Sequence, residues 1–151
     1  MIHVALWEPE IPPNTGNIAR LCAATDATLH LIGRTGFRLD DRHLRRAGLD
    51  YWPDVTLQTH PTFEDFADAF RGTRVHAVST RGTVPYARVR YLAGDCFLFG
   101  SESKGLPPAV HDRYAGQILT IPMPAGRVRS LNLATAVGIV LYEALRQLHD
   151  W

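Results

Sequence analysis

Apolar positions along the chain alternate between two patterns. Short runs rich in β-branched and aromatic residues cover 2–7 (IHVALW), 28–33 (TLHLIG), 54–59 (DVTLQT), 74–80 (RVHAVST), 95–100 (DCFLFG) and 117–122 (QILTIP). Each is four to eight residues long and bounded by polar or turn residues, which predicts strands. Between them the apolar spacing lengthens to three and four. Ile18, Leu21 and Cys22 mark a helix over 14–26, with Asn14 expected as its cap. Phe63, Phe66, Ala67 and Phe70 mark a second helix over 62–70, capped by Thr62. Shorter helical stretches read over 40–48, stopped by Gly48, and over 107–114. The longest, 130–148, has apolar residues on every side of its first turns: Leu131, Leu133, Ala134, Ala136, Val137, Ile139, Val140 and Leu141. A helix apolar all round is normally covered all round, so a partner chain is expected against it.

Strands alternating with helices through short connections predict an α/β fold with a largely parallel sheet, in one domain spanning 1–151. Open sheets of this kind place ligands beyond the carboxyl ends of their strands. Gly33, Ser79–Gly82, Gly100–Leu106 and Pro122–Ser130 are the loops that lie there.

Composition narrows the function classes. Of 151 residues, 46% are hydrophobic and 21% charged, and the formal net charge is +1. Any nucleic-acid site must then be a local patch and not the whole surface. Cys22 and Cys96 are far apart in apolar runs, which reads as two buried thiols, not a disulfide or zinc framework. There is no basic leader and no apolar run long enough to span a bilayer, so a cytoplasmic location is expected.

Most familiar motifs fail. No G-x-G-x-x-G follows a strand and no phosphate-binding G-x-x-x-x-G-K-[ST] occurs. Ser101 and Lys104 match S-x-x-K, but its companion S-D-N and K-T-G motifs are missing. The seven histidines show no metal-ligand spacing, and His30 and His76 sit inside strand patterns as structural residues. Three glycine-bearing loops remain: PPNTGNIAR (12–20), FGSESKGLP (99–107) and IPMPAGRVRSLNLATAVGIVLYEA (121–144).

In this order the three loops resemble the motifs of the SPOUT superfamily of S-adenosylmethionine-dependent RNA methyltransferases. The stretch EPEIPPNTGNIARLCAATDATLHLIGRTGFRLDDRHLRRAGLDYW resembles its tRNA (cytidine/uridine-34-2′-O)-methyltransferase branch, TrmL. The resemblance covers the whole chain. It implies a parallel sheet whose C-terminal part is tied in a deep trefoil knot, a feature periodicity cannot show. It also implies a homodimer packing the 14–26 and C-terminal helices across a two-fold axis, a tRNA substrate, and S-adenosylmethionine without a metal. No membrane or DNA partner is expected. Two alternatives are a ribosomal-RNA methyltransferase and a non-catalytic RNA-binding module of the same fold.

Carried over residue by residue, the resemblance places Arg20, Asn14, Ser130 and Asn132 in catalysis. Val78, Gly100, Glu102, Gly105, Ile121 and Ser130 fall where the family binds cofactor. The loop before Arg129 is about one residue longer than the family pattern. Arg42, Arg45 and Arg46 share one helical face and, with Arg129, suit phosphate contacts, which supply affinity without sequence choice. Tyr142 matches a family tyrosine linked to substrate binding; core packing is the open alternative. For Glu102 the alternative is an exposed loop carboxylate. Tyr51 and Trp52 are open between base stacking and packing.

Overall fold

The computed structural model describes residues 1–39, 42, 46 and 52–151. Its centre is a seven-stranded sheet in which every pairing is parallel. The strands are β1 (His3–Trp7), β2 (Thr28–Ile32), β3 (Leu57–His60), β4 (Val75–Val78), β5 (Val84–Pro85), β6 (Cys96–Phe99) and β7 (Leu119–Thr120). Their spatial order is β3-β2-β1-β6-β4-β7-β5. β1 is central: His3 is in register with Thr28 on one side and Cys96 on the other. β6 enters between β1 and β4, and β7 between β4 and β5, so two late strands separate earlier ones.

Alternation along the strands feeds two cores. Val4, Leu6, Phe97 and Phe99 point to the face covered by α1 (Pro12–Thr25) and α4 (Leu133–His149). Ala5, Cys96 and Leu98 point to the opposite face, under α2 (Phe63–Ala69) and α3 (Pro108–Arg113). A strand buried on both faces must be apolar at consecutive positions, and this is why the sequence shows unbroken runs at 95–100 and 2–7. The two thiols are free and buried, Cys22 against α4 and Cys96 under α2 and α3; burial pushes the Cys22 thiol up to about 12. Among the described residues, no helix is long and apolar enough to cross a membrane.

Three expectations shift. Asn14 does not cap α1: the helix begins two residues earlier, with Ile11 at the cap and Pro12 and Pro13 in its first turn. Two prolines remove two N–H groups that would otherwise lack partners, and the next two, of Asn14 and Thr15, reach the Ile11 carbonyl. No side-chain cap is needed, which frees the Asn14 amide. The third strand starts at Leu57 and not at residue 54, because Trp52–Asp54 forms a 3₁₀ turn around Pro53 and only Leu57 onward reaches register with β2. The last helix starts at Leu133, capped by Asn132, whose Oδ1 accepts the Thr135 N–H at 3.2 Å. Thr62 caps α2 as expected, accepting the Asp65 N–H at 3.1 Å.

The all-round apolar start of α4 is largely explained within one chain. Leu133, Val137, Val140, Leu141, Ala144 and Leu145 are buried against α1 and the sheet. Val140 is 0% exposed and is therefore core, not an outer dimer face. Ala134, Gly138 and Ile139 are half-buried, and Tyr142 is exposed.

Candidate active site

β4, β6 and β7 end side by side, and the loops that leave them enclose a cavity of about 490 Å³. That is the size range of small-molecule sites. Its walls are apolar at Val78, Phe99, Leu106, Ile121 and Leu133, and polar at Ser79, Thr80, Ser101, Ser130 and Asn132.

The loop after β6 folds back on itself. Ser101 N–H donates to the Gly105 carbonyl at 3.2 Å, and Gly105 N–H returns a bond to Ser101 at 2.9 Å. The return brings the strand within touching distance of its own loop. A Cβ on Gly100 would lie 2.1 Å from the Gly105 carbonyl carbon and 2.3 Å from the Leu106 nitrogen. Gly100 is thus required by backbone meeting backbone. Gly105 has open space around it but a φ of +66°, which disfavours any side chain.

Glu102 ties this loop to the start of α1. Its carboxylate accepts the Glu10 N–H at 2.9 and 3.2 Å and the Ile11 N–H at 2.6 Å. Of its two readings, an exposed loop carboxylate is excluded. Burial raises its pKa, against the lowering effect of those two N–H bonds. The return contact comes from Glu10, whose carboxylate accepts the Ser103 hydroxyl at 2.6 and 2.9 Å. That bond is the main cause of its lowered pKa.

A second tie crosses from α1 to α4. Asn132 Nδ2 donates to Asn14 Oδ1 at 2.9 Å, joining the first and third glycine-bearing loops at the cavity wall. A single Asn132 side chain caps α4 with its oxygen and holds Asn14 with its nitrogen.

The cavity brings together Asn14, Val78, Gly100, Glu102, Gly105, Ile121, Arg129, Ser130 and Asn132, all singled out in the sequence. Arg20 is not in its lining. It lies on the exposed side of α1, six residues past Asn14. Six helical residues give about 9 Å of rise and a rotation of about 240°, which puts Arg20 on a different side of α1 from the buried Asn14. Arg42 and Arg46 are exposed and helical, while Arg45 and Tyr51 lie outside the described residues. Tyr142 is 45% exposed, with its ring 6.3 Å from that of Trp151, which rules out the core-packing alternative. Trp52 is half-buried and packs on the core cluster.

Arg81, Met123 and His111 also line the cavity, and sequence reading missed them. Arg81 falls in the Ser79–Gly82 loop, so its position after a strand was the available signal. His111 sits on α3, and only the fold-back of the preceding loop brings it near. His111 Nε2 and Thr15 Oγ1 are the buried side-chain polar atoms without a partner among the described residues.

Comparisons with known proteins agree with this geometry. Residues 1–142 match the SpoU rRNA Methylase family. The tRNA (cytidine(34)-2′-O)-methyltransferase of Aeromonas hydrophila is 48% identical, covering 98% of this chain and 95% of its own. That of Escherichia coli K12 is 47% identical, covering 98% and 94%. A solved structure described as giving insights into the 2-OH methylation of C/U34 on tRNA superposes with a TM-score of 0.96 at 52% identity, covering 100% of this chain and 98% of the other. The AdoMet-bound rRNA methyltransferase of Sinorhizobium meliloti superposes at 0.87 with 34% identity, covering 97% of this chain and 56% of that one. With a matched family model over most of its length and near-half identity to full-length relatives, the chain belongs to the SpoU methylase family, and within it groups with the tRNA (cytidine(34)-2′-O)-methyltransferases.

Proposed function

We propose that this protein transfers a methyl group from S-adenosylmethionine to the ribose 2′-hydroxyl of nucleotide 34, a cytidine or uridine, of tRNA. The observation that carries the proposal is the cavity at the ends of β4, β6 and β7, closed by two loops and tied to α1 through Asn14 and Glu102. Its apolar walls at Val78, Ile121 and Leu133 suit the faces of an adenine ring, and its backbone and serine groups suit the ring edge and ribose hydroxyls. Gly100, Glu102 and Gly105 hold the loop after β6 in that shape, and Ser130 lines the cavity. The cofactor supplies a methyl already activated on a cationic sulfur. The protein must place the hydroxyl in line and draw off its proton.

Asn14 and Asn132 form the polar wall where the hydroxyl would approach. Arg20 clamps the substrate phosphate bidentately; a guanidinium stays protonated and is a poor base. We propose a homodimer across α1 and α4, a site completed only in the dimer accounting for an Arg20 outside the cavity of its own chain. The same reading includes one domain over 1–151, its C-terminal part in a trefoil knot, in the cytoplasm. Late insertion of β6 and β7 between earlier strands supports the knot. Arg42, Arg45, Arg46, Arg129 and Tyr142 would meet the tRNA.

Incubation with labelled S-adenosylmethionine and total tRNA, followed by nuclease digestion and mass spectrometry, tests this. One 2′-O-methylated nucleotide at position 34 is expected. Label on ribosomal RNA alone would favour the ribosomal alternative, and no transfer would favour the binding module.

A further inference from the structure

Two carboxylates cross between the same two segments in opposite directions. Glu102, on the loop after β6, reaches the backbone of Glu10 and Ile11. Glu10, just ahead of α1, reaches back to the Ser103 hydroxyl at 2.6 and 2.9 Å and its N–H at 3.3 Å. The loop is closed on itself by the Ser101–Gly105 pair, so a hold on Ser103 is a hold on the whole loop. On the other side, Ile11 is the cap of α1, and Pro12 and Pro13 stiffen the link to Asn14. The Glu10 segment is itself backed from behind. Gly36 N–H donates to the Pro9 carbonyl at 2.8 Å, and a Cβ on Gly36 would lie 2.8 Å from the Glu10 carbonyl oxygen.

We propose that Glu10 is a positioning residue that holds the cofactor loop closed through Ser103, and so fixes that loop relative to Asn14. The inference rests on the cofactor reading of the cavity. Glu10 is not itself a lining residue of the cavity; its carboxylate acts on the loop that lines it, chiefly through Ser103. A loop tied to α1 by Glu102 alone samples open forms more often, and apparent affinity falls in proportion to the closed fraction. The clasp keeps that fraction near one.

The test is calorimetric titration of the full-length protein with S-adenosylhomocysteine, for the unmodified chain and for Glu10→Ala, Ser103→Ala, the double variant and Glu10→Gln. Each alanine variant should bind about tenfold more weakly, the factor equivalent to about 1.4 kcal/mol and to one modest charge-assisted hydrogen bond. The double variant should be no weaker than Glu10→Ala, because Glu10→Ala already removes every contact the carboxylate makes with the loop. Glu10→Gln, whose amide oxygen still accepts the Ser103 hydroxyl, should recover most of the affinity. With saturating cofactor, kcat should change less than about twofold. A merely structural role would lower the melting temperature without this pattern. Should Glu10→Ala fail to fold, Ser103→Ala carries the same comparison. Unchanged affinity in the folded single variants, or additive losses in the double one, would overturn the inference alone. Absence of binding by the unmodified protein would overturn the cofactor reading together with it.

Discussion

Asn132 serves two structures with one amide, and a substitution can separate them. Serine caps a helix about as well as asparagine, but it is too short to reach Asn14. Asn132→Ser should therefore keep stability within about 0.5 kcal/mol by urea titration, while turnover falls because Asn14 loses its partner. Asn132→Ala should lose both, at a cost of about 1 kcal/mol. Loss of stability equal in the two variants would show that the Asn14 bond, not the cap, dominates. Gly100 makes a sharper prediction at the same scale. With backbone 2.1 Å from where its Cβ would stand, Gly100→Val must displace the loop. Cofactor binding should vanish and the melting temperature should fall with it, whereas a residue lining only ligand space would leave the unliganded protein as stable as before. Sequence reading found both residues but not their reasons. Asn132 was legible as part of a motif, and its pairing with Asn14 was not, since the two stand 118 positions apart. Glu10 left no signal at all: an acidic residue before a proline pair looks like any solvated loop.

Helices and strands were readable where one physical pattern acted alone. The run at 95–100 became β6 because both faces of the sheet are covered there. The boundaries of α1 and β3 moved because proline chemistry and strand register act across the pattern of apolar positions. One element-level feature crosses three strands. His30 Nε2 lies 3.0 Å from His3 Nδ1, and His30 Nδ1 lies 3.0 Å from His60 Nε2, under the rings of Phe66 and Phe70. Burial, aided by the neighbouring histidines, holds the His30 pKa down to about 3, so this imidazole is neutral when folded. An unfolded chain takes up that proton near pH 6.5. The stabilisation is therefore complete above pH 6.5 and is lost progressively as pH falls toward 3. His30 alone should contribute ~2 kcal/mol of lost stability between pH 6.5 and pH 5. Urea titrations at the two pH values should show it, and His30→Phe should flatten the dependence. An unchanged slope in that variant would place the acid sensitivity elsewhere.

Across the whole molecule, the distribution of work between cavity and surface decides the mechanism. Sedimentation at micromolar concentration should give a dimer; a stable monomer would contradict the proposed completion of the site by a second copy. Val140→Asp is no test of that interface, because Val140 is buried in its own chain and the variant should fail to fold. Arg20→Ala should leave S-adenosylhomocysteine affinity unchanged by calorimetry, since Arg20 is not among the residues that line the cavity. Its turnover should fall by at least ~10²-fold, as expected when a positioning or proton-transfer group is lost. Arg20→Lys should also be poor, because an ammonium cannot reproduce a bidentate fork.

The most direct measurement compares two tRNA molecules that differ in one atom. One carries an ordinary ribose at nucleotide 34, and the other a 2′-deoxyribose there. With labelled S-adenosylmethionine, the first should accept one methyl group per molecule and the second none, although both bind. Equal labelling of the two would contradict the account, because the methyl would then be going to some other atom.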